Sequence, residues 1–86
     1  MEILKRASAG TLESSDAYVE IEPAQGRTVT VESVVQAQFG EQILRTANEL
    51  LDQLDVKNAT VRITDRGALD CVLRARLETA VLRGKE

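Results

Sequence analysis

Apolar and polar residues alternate strictly in several short stretches of this chain, and between and after them the period lengthens to that of helices. Ala17-Tyr18-Val19-Glu20-Ile21-Glu22 puts Ala17, Val19 and Ile21 on one side and Tyr18, Glu20 and Glu22 on the other, as a half-buried strand requires. Thr28-Val29-Thr30-Val31-Glu32 repeats the pattern after the turn residues Pro23 to Arg27, so the two stretches predict an antiparallel hairpin. Ala59 to Thr64 is a further strand, with Ala59, Val61 and Ile63 inward. Ala7 to Leu12 is a weaker one, joined to the strand at Ala17 through Glu13 to Asp16.

Helical spacing fills the remainder. Val35, Phe39, Ile43, Ala47, Leu50, Leu51 and Leu54 recur three and four apart, and Ser33 followed by Gln36 is a candidate capping box, so a helix is predicted from Ser33 to about Leu54. Gly40 weakens its first turns by roughly 1 kcal/mol relative to Ala. Leu69, Val72, Leu73, Leu77, Ala80 and Val81 make the stripe of a final helix ending near Gly84. Asp70–Arg74 and Arg74–Glu78 are opposite charges four apart, as on a solvated helix face. The order β-β-β-α-β-α predicts an α+β fold, a small two-layer sandwich with a mostly antiparallel sheet and two helices on one face. No linker, repeat or low-complexity tract divides it, so residues 1–86 read as a single domain.

Composition narrows the chemistry. An 86-residue chain buries roughly 60 to 65% of its unfolded surface, which leaves a modest core and little room for a deep pocket. With 43% apolar residues but one Phe, one Tyr and no Trp, that core is aliphatic, and stacking platforms for single-stranded nucleic acid are missing. A net charge of −3 repels phosphate backbones, which disfavours nucleic acid as a partner. The absence of histidine excludes His-containing nucleophilic triads and the common zinc sites. The start at Met1 lacks the apolar run of a signal peptide and no stretch reaches membrane-spanning length, so the expectation is a cytoplasmic protein without membrane contact. The lone Cys71 fits a reducing compartment and is expected to be a small buried hydrophobe beside the final stripe.

Two stretches stand out. Gly10-Thr11-Leu12-Glu13-Ser14-Ser15-Asp16 sets two hydroxyls between two carboxylates at a turn tip, a place suited to presenting a serine to another protein. Without a histidine neither serine is an activated nucleophile, but each can accept a group from an external transferase that brings its own base. Glu13 and Asp16 offer charges for a basic partner to grip, or simple solubility at a turn. In Asp65-Arg66-Gly67-Ala68-Leu69-Asp70-Cys71, Gly67 suits a dihedral that only glycine adopts cheaply, and Asp65 or Asp70 favours the positive end of the last helix.

At these residues, and at Gln38-Phe39-Gly40 and Arg74-Ala75-Arg76, the chain resembles the acyl carrier protein of citrate lyase, its gamma subunit, in collinear order over nearly its whole length. In that family the serine of Gly-Thr-Leu-Glu-Ser carries phosphoribosyl dephospho-coenzyme A through a phosphodiester, which implies attachment at Ser14. Ser15 stands where the family often has glycine. The resemblance further implies a non-catalytic carrier whose arm holds an acetyl thioester. The alpha (transferase) subunit exchanges acetyl for citryl, and the beta (lyase) subunit splits citryl thioester into oxaloacetate and acetyl thioester. A separate prosthetic-group transferase loads the arm. Tethering raises the thioester's effective concentration at both active sites, so such a carrier needs reach and surface fit rather than catalytic side chains. Two other readings compete: the carrier of a malonate decarboxylase, and an interaction or assembly module without a prosthetic group that docks through Glu20, Glu22 and Glu32.

Overall fold

The computed structural model describes residues 1–34 and 36–86. Strands β1 (Ala7–Gly10), β2 (Ala17–Pro23) and β3 (Arg27–Ser33) precede helix α1 (Gln36–Gln53), strand β4 (Ala59–Asp65) and helix α2 (Asp70–Gly84), the order read from the periodicity. They form one four-stranded sheet in the order β1-β2-β4-β3. Two of its three pairings are antiparallel, and both helices lie on one face.

The predicted β2–β3 hairpin does not form. β4 lies between those strands, antiparallel to β2 with Ala17 opposite Asp65, and parallel to β3 with Ser33 opposite Asp65. The turn after Pro23 opens instead of closing. Gly26, at φ +77°, gives its carbonyl to Ala59 N–H (3.0 Å) and its N–H to the Asn58 side chain (2.9 Å), so it receives the start of β4. The aliphatic run of β4 explains the choice. Its inward residues Ala59, Val61 and Ile63 are all buried, which a central position provides, whereas Val29 and Val31 on β3 are only half-buried at the sheet edge. β3-α1-β4 is then a crossover joining neighbouring parallel strands.

Ala17, Val19 and Ile21 of β2 join that inward layer, which meets Ala47, Leu50 and Leu51 of α1 and Leu73, Leu77, Ala80 and Val81 of α2. Each fully buried leucine or isoleucine contributes about 1.5–3 kcal/mol. Gly84 ends α2 against Ile3 and Ile21, and its carbonyl accepts the N–H groups of Leu4 and Lys5, which ties the amino-terminal segment down. On the uncovered face Arg6 pairs with Glu20 and Arg62 with Glu22.

The helical stripes are shorter than the spacing predicts. Phe39 and Leu69 are 47% and 71% exposed, because each lies at the first turn or the cap of its helix, beyond the end of the sheet. Val35 and the Gln36 side chain fall outside the described residues. Ser33 ends β3 and its hydroxyl donates to Asp65 Oδ2 at 2.7 Å, while the capping box it would form with Gln36 lies outside the described residues. Cys71 is exposed. It stands two residues before Leu73, about 200° round the helix from the buried stripe. Arg74 binds Asp70 at 2.7 Å, the first of the two expected i,i+4 pairs.

Candidate functional site

Strands β1, β3 and β4 end, and β2 and both helices begin, at one end of the molecule. Residues 11–16, between β1 and β2, and residues 66–69, between β4 and α2, meet there. Ser15 N–H donates to Arg66 O (2.8 Å) and Arg66 N–H donates to Asp16 O (2.9 Å), which extends the β2–β4 ladder into the two loops.

Each early residue of the 11–16 loop has a mechanical task. Gly10 has φ +92°, and a β-carbon there would overlap the carbonyl oxygen of Ala17 and press on Arg76 Cδ. Glycine is therefore required both by the backbone turn and by the passage of Arg76 across it. Thr11 donates its hydroxyl to Asp16 Oδ2 (2.6 Å) and accepts the N–H of Glu13 (3.2 Å). Glu13 O accepts the N–H of Asp16 (3.1 Å), closing the turn, and Asp16 Oδ1 accepts the N–H of Ala17 (2.7 Å).

Asp16 is the hub. Arg76 of α2 forks onto it, Nε to Oδ1 and Nη2 to Oδ2, both at 3.0 Å, and the carboxylate side chain is only 13% exposed. Arg76, then Thr11 and the Ala17 N–H, hold the Asp16 carboxyl well below the usual carboxylate range, against a smaller opposing effect of burial. In turn the Arg76 pKa is raised, chiefly by its hydrogen bonds to Asp16.

With these donors and acceptors satisfied inside the loop, the tip points outward. Leu12, Glu13, Ser14 and Ser15 are exposed, and the Ser14 hydroxyl and Glu13 carboxylate have no partner among the described residues. Ser15 adopts φ +66°, in the left-handed region. Of the residues singled out in the sequence, Glu13 and Ser14 thus face solvent, while Asp16 faces the protein. Arg66, whose backbone is bonded to the tip, is exposed and makes no ion pair among the described residues. Ser14 is thus an exposed hydroxyl on a loop whose backbone is held by Asp16, Thr11 and the Ser15–Arg66 bond.

Comparison with known proteins gives this arrangement its family. The chain is 49% identical to the citrate lyase acyl carrier protein of Pectobacterium carotovorum over 100% of its own length and 91% of that protein. Against the citrate lyase acyl carrier protein of Escherichia fergusonii it is 53% identical, again over 100% of this chain and 91% of the relative. The chain belongs to the citrate lyase acyl carrier protein family. The broader acyl carrier family described as the malonate decarboxylase delta subunit matches residues 4–84. Among solved structures, a chain of a Pseudomonas malonate decarboxylase hetero-tetramer in complex with malonate is similar with a TM-score of 0.76 at 26% identity, covering 92% of this chain and 82% of that one.

Within this acyl carrier family's Gly-Thr-Leu-Glu-Ser motif, the structure gives Gly10, Thr11 and the Glu13 backbone roles in shaping the turn and leaves Ser14 at its tip. Arg76 and Arg66 went unread in the sequence. Arg76 lies 60 residues from Asp16, and an ion pair across that separation leaves no periodic signal. Arg66 is brought to the tip only by the β2–β4 register. Asp65 is buried and accepts the N–H groups of Gly67 (3.2 Å) and Ala68 (3.0 Å), so it shapes the turn before α2; it is Asp70 that stands in the first turn of that helix.

Proposed function

We propose that Ser14 Oγ is the attachment point of phosphoribosyl dephospho-coenzyme A, joined through a phosphodiester, and that residues 1–86 act as one carrier domain of a cytoplasmic citrate lyase. As a member of this family the chain is a non-catalytic acyl carrier, and an acyl carrier holds a covalent prosthetic group. The observation that carries the assignment is the Ser14 hydroxyl itself, exposed and without a protein partner among the described residues, on a loop braced on every other side.

Once attached, the group supplies a thiol on a long arm. What the chain supplies is a fixed root for that arm. Asp16, Arg76 and the Ser15–Arg66 backbone bond hold the loop still, the open surroundings of Ser14 admit a transferase, and Arg66 offers a cation to the phosphodiester. Glu13 and the 55% exposed Leu12 beside it are the surface through which the prosthetic-group transferase, and then the alpha and beta subunits, meet the root. Asp16, committed to Arg76, supports that surface from behind. No helix among the described residues is long and apolar enough to cross a membrane, in keeping with a cytoplasmic complex.

Intact mass with peptide fragmentation tests the assignment, on protein produced beside its own transferases. One phosphodiester-linked adduct is expected on the peptide containing Ser14. Ser14→Ala removes it without changing the circular dichroism spectrum, while Ser15→Ala retains it. An adduct that survives Ser14→Ala and is lost with Ser15→Ala moves the root by one residue. Citrate cleavage by a reconstituted complex that continues with Ser14→Ala would support an assembly module without a prosthetic group. That module would dock on the uncovered sheet face, where Glu20 and Glu22 are already matched by Arg6 and Arg62, respectively. The structural likeness to a malonate decarboxylase chain favours one second reading, a carrier for that enzyme. Reconstitution of the loaded chain with each set of subunits separates the two by which substrate is consumed.

A further inference from the structure

A cleft of about 310 Å³ opens between the first turns of α1 and α2, lined mainly by Phe39, Ile43, Leu69 and Leu73, with polar groups from the exposed Gln42 and from Asp70, which accepts the Thr46 hydroxyl at 3.3 Å. From this cleft we infer that the carrier has its own docking site for the thiol-bearing end of its arm, a pantetheine chain with a short acyl group. The inference rests on Ser14 as the root of that arm.

Three observations select this occupant. The cleft's lip is tied to the root: Ser15 N–H bonds Arg66 O, and Gly67, Ala68 and Leu69 follow directly as cleft lining. Two Cα steps and one hydrogen bond put the lining within roughly 10–15 Å of Ser14, well inside the reach of an extended arm made of a nucleotide and two amide-linked segments. Size is the second observation, for this volume lies at the lower end of the ~300–1,000 Å³ range of ligand clefts and fits a slender chain end, not a whole nucleotide. Chemistry is the third. Phe39 and Leu69 are 47% and 71% exposed although both occupy the apolar spacing of their helices, and the lining they share is mostly apolar, its two carboxylates, Asp65 and Asp70, being already engaged by backbone N–H groups, Thr46 and Arg74. A chain of methylenes and amides matches that surface.

Tethering makes even a weak site effective, because a flexible linker presents its end at an effective concentration of about millimolar. A docked thioester is shielded from water between visits to partner subunits and is released when a partner's active site competes for it.

The test uses the full chain in a Cys71→Ser background, which removes the exposed thiol of α2, in bare and loaded forms whose loading is verified by mass. Loading is expected to shift the side-chain NMR signals of Phe39, Ile43, Leu69 and Leu73, which lie outside the peptide that carries the adduct, and Leu69→Ser is expected to abolish the shifts that remain at Ile43 and Leu73. An arm docked three-quarters of the time reacts with a disulfide reagent about fourfold more slowly than free coenzyme A, and Leu69→Ser or Phe39→Ala restores the free rate. Both side chains are largely exposed, so both variants are expected to fold. A Ser14 adduct with unmoved cleft signals and a thiol as reactive as free coenzyme A overturns the docking site while leaving the carrier intact. Absence of an adduct on the Ser14 peptide overturns the carrier root, and the docking site with it.

Discussion

Asp16, just before β2, and Asp65, at the end of β4, stand together at the Ser14 end, and each holds one of the two loops that meet there, but by different means. Asp16 reaches across 60 residues to a guanidinium on α2 and keeps its side chain 13% exposed. Asp65 is 3% exposed and accepts the N–H groups of Gly67 and Ala68, two and three residues on, together with the Ser33 hydroxyl from β3. The first is a strut between elements. The second closes a local turn and the end of an adjacent strand. A loop proposed to carry a bulky group gains from being tied to a helix, because the tip then moves only with the whole domain. The 66–69 loop needs only to hand β4 on to α2 and keep the cleft lip in place.

Gly10→Ala breaks this arrangement most severely. The new β-carbon overlaps Ala17 O and crowds Arg76 Cδ in a backbone with φ +92°, so turn and strut fail together. A loss of about 3 kcal/mol or more is expected in denaturant unfolding, with loading of Ser14 falling in parallel. A loss below about 1 kcal/mol would mean that the loop relaxes freely and that its rigidity has been misjudged.

Asp65→Ala comes next, at about 2–4 kcal/mol, because it takes the side-chain acceptor from the Gly67 and Ala68 N–H groups at a buried position. Asp65→Asn retains an acceptor for one N–H and is expected to cost about half as much. Equal costs for the two would show that charge matters here as it does at Asp16. Loading at Ser14 is expected to continue in both, since the Asp16 strut is untouched.

Asp16→Asn sharpens the contrast through pH. The folded-state carboxyl of Asp16 lies below its ordinary value, so its stabilisation is complete above the usual carboxylate range and is lost as pH falls toward the folded value. Wild type is therefore expected to lose stability more steeply than Asp16→Asn between about pH 4 and pH 2. Parallel slopes would remove the charge argument. Because the Arg76 side chain is 40% exposed, added salt should narrow the difference between the two proteins.

How much of this was legible follows from what periodicity encodes. Alternation told which residues of β2 and β4 face inward, because that depends on the pleat alone. It could not tell which strand lies beside which, and β4 took the place between β2 and β3 that the short turn at Pro23 assigned to a hairpin. Helical spacing placed Leu73, Leu77 and Leu51 in the core. It overextended to Phe39 and Leu69, since a stripe continues past the sheet edge without a change of period. The exposed tip was readable from Gly10, the serines and their acidic neighbours. Its bracing by Arg76 was not, for nothing local distinguishes that arginine from Arg74 two residues earlier, which stays on its own helix and binds Asp70.

The smallest effect is at Ser15, where this chain has serine at a position often glycine in its family. Ser15 holds φ +66°, a conformation that glycine enters without steric cost and serine does not. Ser15→Gly removes that strain and also loosens the unfolded chain, two effects of opposite sign. Relief of the strain is the larger of the two at a positive-φ position, so a net gain of up to about 1 kcal/mol is expected. The Ser15 N–H bond to Arg66 survives the change, since it uses the backbone. Loading at Ser14 should therefore be unchanged or faster, with one hydroxyl fewer beside the acceptor. A Ser15→Gly protein that is less stable and loads more slowly would mean that the second hydroxyl holds the tip in place, and the loop would then owe its form to its own side chains as well as to the Asp16–Arg76 strut.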